Sequence, residues 1–289
     1  MRTLLMVLLV VFAACSKPAQ KIVQAPPSPW KPPQLARFRP MQVPPENPLT
    51  REKVELGRKL FSDPRLSADG SRTCAGCHEP KYGFTIGAID GRACASLINV
   101  GYAQGFFGED APIPLERAVQ GMWQFAMVRK DGPTLDEVAA RFGPDVTPQK
   151  VTDALASYLR TLVPVNAPWV RFHDGDATAL SEKARRGYEV FDRKARCTNC
   201  HNGVLLTDRL RHDIGTGSPY KTPTLLNIGK SMPYFHDHRV AKLEEAVDRM
   251  LAGGFKTKSP DPQLRPVTLT PEERELLLAF LRELDADVM

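Results

Sequence analysis

The sequence predicts a mostly α-helical protein built from two similar domains in tandem, and three observations carry that expectation. Apolar residues recur at helical spacing behind Ser/Thr caps, a set of short sequences occurs twice in the same order, and each set surrounds one Cys-x-x-Cys-His motif. With 289 residues, 42% apolar and 25% charged, the chain has the size and composition of two ordinary globular domains. Its net charge of +6 comes from 39 basic residues scattered among 33 acidic ones, without a long run of one sign. That distribution gives no support to nucleic-acid binding, though it can still steer a protein partner.

The N-terminus sets the expected compartment. Arg2 is followed by an apolar stretch from Leu4 to Ala14, too short to span a bilayer but suited to a secretory signal. Phe12-Ala13-Ala14-Cys15 resembles a lipobox, so residues 1–15 read as a lipoprotein-type signal peptide with Cys15 as the lipidated residue. The alternative is an ordinary signal peptide cut after Ala14. Both place the mature protein outside the cytoplasm, in the periplasm, and the first anchors it to a membrane through acyl chains. Ten of the 26 prolines fall between Pro18 and Pro48, so residues 16–48 read as an extended, semi-rigid linker holding the body off the membrane.

The helices follow. Thr50 opens one through Phe61, Thr134 and Glu137 form a capping box, and Thr147-Pro148 and Thr270-Pro271 place a cap and an N1 proline before long apolar-periodic segments. Val151, Leu155, Tyr158, Leu159 and Leu162 fall on one face of the third of these helices. Alternating strand patterns are scarce.

The internal repeat then divides the chain. Gly57 to Phe61 precedes the first motif and Gly187 to Phe191 the second; Leu97-Ile98-Asn99-Val100-Gly101 matches Leu225-Leu226-Asn227-Ile228-Gly229. Leu115 to Val119 likewise answers Leu243 to Val247. The motifs themselves are Cys74-Ala75-Gly76-Cys77-His78 and Cys197-Thr198-Asn199-Cys200-His201. This spacing attaches a c-type haem: two thiols reach two vinyl groups of one macrocycle while the adjacent imidazole binds the iron. A zinc site would want its CxxC pairs closer together and no His after each. The expectation is two cytochrome c-like haem domains, at 49–165 and 166–289, with two covalently bound haem c groups.

Leu56 to Ser67, Gly83-Phe84-Thr85, Thr222 to Asn227 and Pro233 to Asp237, together with the motifs, resemble the bacterial dihaem cytochrome c peroxidase family, which includes MauG. The resemblance implies a first haem where hydrogen peroxide is reduced to water. It implies a second, higher-potential haem taking electrons from a small c-type cytochrome or cupredoxin. His78 and His201 carry over as proximal ligands, and Met250 as the second haem's distal ligand, a thioether suited to a raised potential. MauG-like members have Tyr there, so Met250 points to the peroxidase branch. Family members are often dimers; no interface is legible in this sequence.

The first domain departs from the family. No His lies between His78 and His173, which implies an open iron without reductive activation. Phe107-Gly108-Glu109-Asp110 replaces the family's Phe-Trp-Asp-Gly, removing the bridging Trp, and Trp123 is the aromatic residue nearest in role. The distal Glu falls near Met127 or Val128, where no carboxylate lies between Arg117 and Asp131. Gln124 and Glu109 stand as replacement catalytic groups. The family's calcium-binding Asn is replaced around Ala93, which weakens the case for calcium. Counting along the repeat places Met122 at the register of Met250, as a possible cap on the first iron, against a plain core role. A non-catalytic electron carrier and a MauG-like oxidase of a protein or small molecule are the competing readings. Cys94 reads as a small buried residue, His236 as a partner for propionate or backbone, and His212 as a loop or surface residue.

Overall fold

A computed structural model describes residues 29–85, 88–89, 92–103, 105–106, 112–256 and 261–288. Cys15, the rest of 1–28 and Glu109 lie outside the described residues. Among those described, helices α1 (Arg51–Phe61), α2 (Cys74–Cys77), α3 (Leu115–Met122), α4 (Leu135–Ala139) and α5 (Pro148–Leu159) precede α6 (Pro168–His173), α7 (Glu182–Glu189), α8 (Leu243–Leu251) and α9 (Pro271–Arg282). The only sheets among them are two short antiparallel ladders, β1 (Ala88–Ile89) with β2 (Arg92–Ala93), and β3 (Arg211–His212) with β4 (Tyr220–Lys221). None of the described helices is long and apolar enough to cross a membrane.

The expected caps are in place. The Oγ1 of Thr50 accepts from Lys53 N, that of Thr147 from Lys150 N, and Thr134–Glu137 and Thr270–Glu273 both close capping boxes. The repeat becomes a packing rule. Helix α1 crosses α5 with Gly57 against the backbone of Ala154, where a Cβ would sit 1.9 Å from the carbonyl oxygen and 2.8 Å from Tyr158 Cβ. Helix α7 crosses α9 in the same way: a Cβ on Gly187 would sit 2.0 Å from Leu276 O and 2.9 Å from Phe280 Cβ. One turn on, Phe61 meets Tyr158 edge-on at 5.3 Å, and Phe191 meets Phe280 at 5.1 Å. Helix α3 packs on α5, whereas α8 is tied to α9 by the Arg274–Asp248 and Arg282–Glu244 ion pairs.

Two features differ from the sequence expectation. Residues 29–48 are not a free tether. Leu35, Met41 and Asn47 are buried, Leu35 N donates to the Tyr102 hydroxyl at 3.2 Å, and Asn47 Nδ2 donates to Glu116 Oε1 at 2.7 Å. The segment turns at Leu35–Phe38 and Pro44–Asn47, and its few apolar side chains pin it to the body as a strap. Second, the repeated helices end differently: α3 widens into a π turn over Trp123–Val128, while α8 stops at Leu251 with Ala252 as its cap. A π turn inserts a residue and rotates every later side chain.

Candidate functional site

Each Cys-x-x-Cys-His motif forms one tight helical turn, which brings its two thiols to the same side. In the first, Thr73 Oγ1 accepts from Gly76 N at 2.9 Å and His78 N closes the turn on Cys74 O at 2.8 Å. In the second, His201 N closes on Cys197 O at 2.8 Å. The imidazoles are then held alike: His78 Nδ1 lies 3.1 Å from Phe84 O, and His201 Nδ1 lies 3.0 Å from Leu206 O. A carbonyl can only accept, so Nδ1 carries the proton and Nε2 keeps the lone pair that a metal takes. Burial pushes both imidazoles below their ordinary pKa, outweighing the carbonyl contacts, which preserves that neutral form.

Both accepting carbonyls come from strained backbone. Phe84 has φ 58° and Leu206 φ 50°, a left-handed conformation that bulky residues rarely adopt. Such strain persists where the surroundings over-determine it, here in the loop that fixes the imidazole. The donor set and its orientation fit a haem c at each motif: two thiols, then an imidazole presenting Nε2. His78, Cys74 and Cys77 would hold the first group, and His201, Cys197 and Cys200 the second.

The thiols are not equivalent. Burial pushes Cys74 and Cys197 up to about 12, and burial with Asp208 pushes Cys200 up to about 11. Cys77 is drawn down to about 6 by a hydrogen bond from Cys94, which is buried beside it. Cys94 is thus a small buried residue, but one in contact with an attachment thiol.

The repeat count pairs Met122 with Met250, and the structure brings a third methionine to the first motif. Met122 is half-buried and packs on the apolar core, whereas the buried Met127 places its sulfur 3.6 Å from Cys74 Sγ. Met127 lies within the π turn and Met122 just before it, and nothing in the sequence signals that turn. Met250 lies half-buried in the last turn of α8. Trp123 is a core residue: it is 2% exposed and donates from Nε1 to Leu66 O at 2.8 Å. Gln124 serves the local backbone, its Nε2 donating to Arg129 O at 3.0 Å.

The carboxylate of α3 nearest the missing distal acid is Glu116, and it is already engaged. Arg160 binds it through both guanidinium nitrogens at 2.6 and 3.1 Å, with Asn47 adding a third bond. Near the second motif, His212 is buried rather than on the surface. Its Nδ1 lies 2.6 Å from Asp261 Oδ2 and its Nε2 2.8 Å from Asp208 Oδ2, and although burial opposes it, the two carboxylates raise its pKa. Held by carboxylates at both ring nitrogens, His212 ties Asp208, beside the second motif, to Asp261. His236 stacks on Tyr220 at 3.6 Å.

A helical fold with two such motifs defines a c-type cytochrome with two haem sites. Residues 51–178 match the family described as di-haem cytochrome c peroxidase. The chain is 32% identical to the methylamine utilization protein MauG of Methylorubrum extorquens, over 87% of its own length and 84% of that protein's. It is 28% identical to the cytochrome-c peroxidase IdrP1 of a Pseudomonas species, covering 87% and 86%. Among solved structures it resembles a MauG-like protein associated with microbial copper homeostasis, with a TM-score of 0.77 and 25% identity over 89% of this chain and 95% of the other. The chain belongs to the dihaem cytochrome c peroxidase and MauG family, whose members are oxidoreductases carrying covalently bound haem c.

Proposed function

We propose that this protein reduces hydrogen peroxide to water at the haem of its first motif, using electrons that a small soluble cytochrome or cupredoxin delivers to the second. The observation that carries this reading is the paired anchoring of His78 and His201 on left-handed carbonyls, which prepares two iron ligands of the same kind in one chain. The bound haems supply the redox chemistry. The chain's residues set what each can do. His78 is oriented by Phe84 O and would hold the first haem's iron; His201 is oriented by Leu206 O and would hold the second's, to which Met250 would add a thioether donor that raises its potential.

Proton handling is the weak step. Peroxide cleavage needs one proton removed and another delivered, yet Glu116 is locked by Arg160 and the amide nitrogen of Gln124 by Arg129 O. That leaves Glu109, which lies outside the described residues, or water; with water alone the rate falls by about 10²–10⁴-fold relative to an enzyme with a placed acid–base. In this reading the haem domains are 49–165 and 166–289, Cys15 anchors the protein in the periplasm, and residues 16–28 space it from the membrane.

A second reading has a specific observation behind it. Identity to MauG is at least as high as identity to the peroxidases, which favours oxidation of a protein or small molecule in place of a soluble donor. Electron paramagnetic resonance of the oxidised holoprotein, with peroxide turnover against a reduced small cytochrome, tests the proposal. One high-spin and one low-spin haem, slow turnover, and a lower potential for the low-spin haem in Met250→Leu are expected. Two low-spin signals, or turnover no faster than a free-haem control, would instead make the protein an electron carrier.

A further inference from the structure

The strap places two arginines around one aromatic ring. Phe38 packs edge-on against Tyr102 at 5.3 Å, and Arg39 Nη2 donates to Tyr102 O at 3.1 Å. The guanidinium carbon of Arg39 lies 5.8 Å from the centre of the Phe38 ring, and that of Arg209, from the other half of the chain, lies 5.2 Å from it. Neither guanidinium has a carboxylate partner among the described residues, and Asp208, next to Arg209, is committed to His212 and to the Leu210 amide. Burial, and then the neighbouring Arg39, push Arg209 down to about 10. A ring face offsets little of the cost of burying a guanidinium, so a partly desolvated cation beside a like charge lacks its compensating anion.

The position of Arg209 says which anion. Leu206 O holds the His201 imidazole, Asp208 N donates to Cys200 O at 2.7 Å, and Arg209 follows at φ 61°, its own N–H on Thr207 Oγ1. The guanidinium therefore leaves the main chain one residue past the segment that grips the second motif. A planar guanidinium matches a planar carboxylate. Resting on the dihaem reading, we propose that Arg209 and Arg39 form a clamp for the propionate carboxylates of the haem attached at Cys197 and Cys200, with Phe38 as the spacer between them. The N-terminal strap then closes the edge of that haem. Positive charge there favours the reduced state, which suits a haem that receives electrons.

The test uses the full holoprotein, with haem counted first by pyridine haemochrome. Two haems per chain are expected, and His201→Gly marks which midpoint in a spectroelectrochemical titration belongs to the second. Arg209→Gln should lower that midpoint, Arg209→Lys should lower it less, and Arg39→Gln, on the exposed arm of the strap, should lower the same one, each read only in protein that keeps two haems per chain. Unchanged midpoints in both glutamine variants, or a shift confined to the other haem, would overturn the clamp while leaving the dihaem reading intact. Fewer than two haems per chain would overturn both.

Discussion

The side chains of Glu116 and Arg160 meet at 2.6 Å with only 9% and 3% of their surface exposed, and Asn47 of the strap completes the carboxylate's shell. Burial alone would raise the pKa of Glu116, but the bonds from Arg160 and Asn47 outweigh it and hold the pKa below the usual glutamate value. This pair therefore stabilises the fold fully above the unfolded glutamate pKa, and loses that contribution as pH falls through the lower folded value. Glu116→Gln should cost about 3–5 kcal/mol at neutral pH by stranding Arg160, and urea melts of the holoprotein at neutral and acidic pH would measure it. A loss under 1 kcal/mol would mean that the carboxylate is free for other work. The sequence shows where an acid is missing from the family's position; it cannot show that the nearest carboxylate is consumed by a residue far along the chain.

At the scale of elements, the caps and the repeat were legible because they are local or nearly identical strings. Thr-Pro starts and capping boxes satisfy helix-end N–H groups within a few residues, so their chemistry is written in order along the chain. The glycines at 57 and 187 have a reason that only the crossing helices reveal: each admits a neighbouring backbone to within van der Waals contact. Gly57→Ala and Gly187→Ala should each destabilise by about 1–3 kcal/mol through overpacking, despite alanine's better helix propensity, as a lowered urea midpoint. If the repeat is a true packing repeat the two losses will be similar; a neutral effect at either site would break that equivalence. The π turn at Trp123–Val128 was not legible, and neither was the contact that Met127, within it, makes with the first attachment thiol.

Across the whole molecule, the strap is where composition misled. Pro-rich sequence reads as a linker because proline cannot build a core, yet prolines that fix φ leave the segment less entropy to lose on docking, so a few side chains suffice to hold it. Deleting residues 29–48 should lower the melting temperature of the holoprotein, since Leu35 and Met41 each contribute about 1.5–3 kcal/mol when buried. An unchanged melting curve would return the segment to the role of a tether. By itself the sequence determined the count of two motifs, the helical class, the caps and the family, because each depends on residues close together or on matching strings. Only the tertiary structure decided which carboxylate is locked, which methionine reaches a thiol, and that a strap arginine meets one beside the second motif. Those outcomes depend on residues dozens to well over a hundred positions apart meeting in space, and on a π turn rotating the side chains after it.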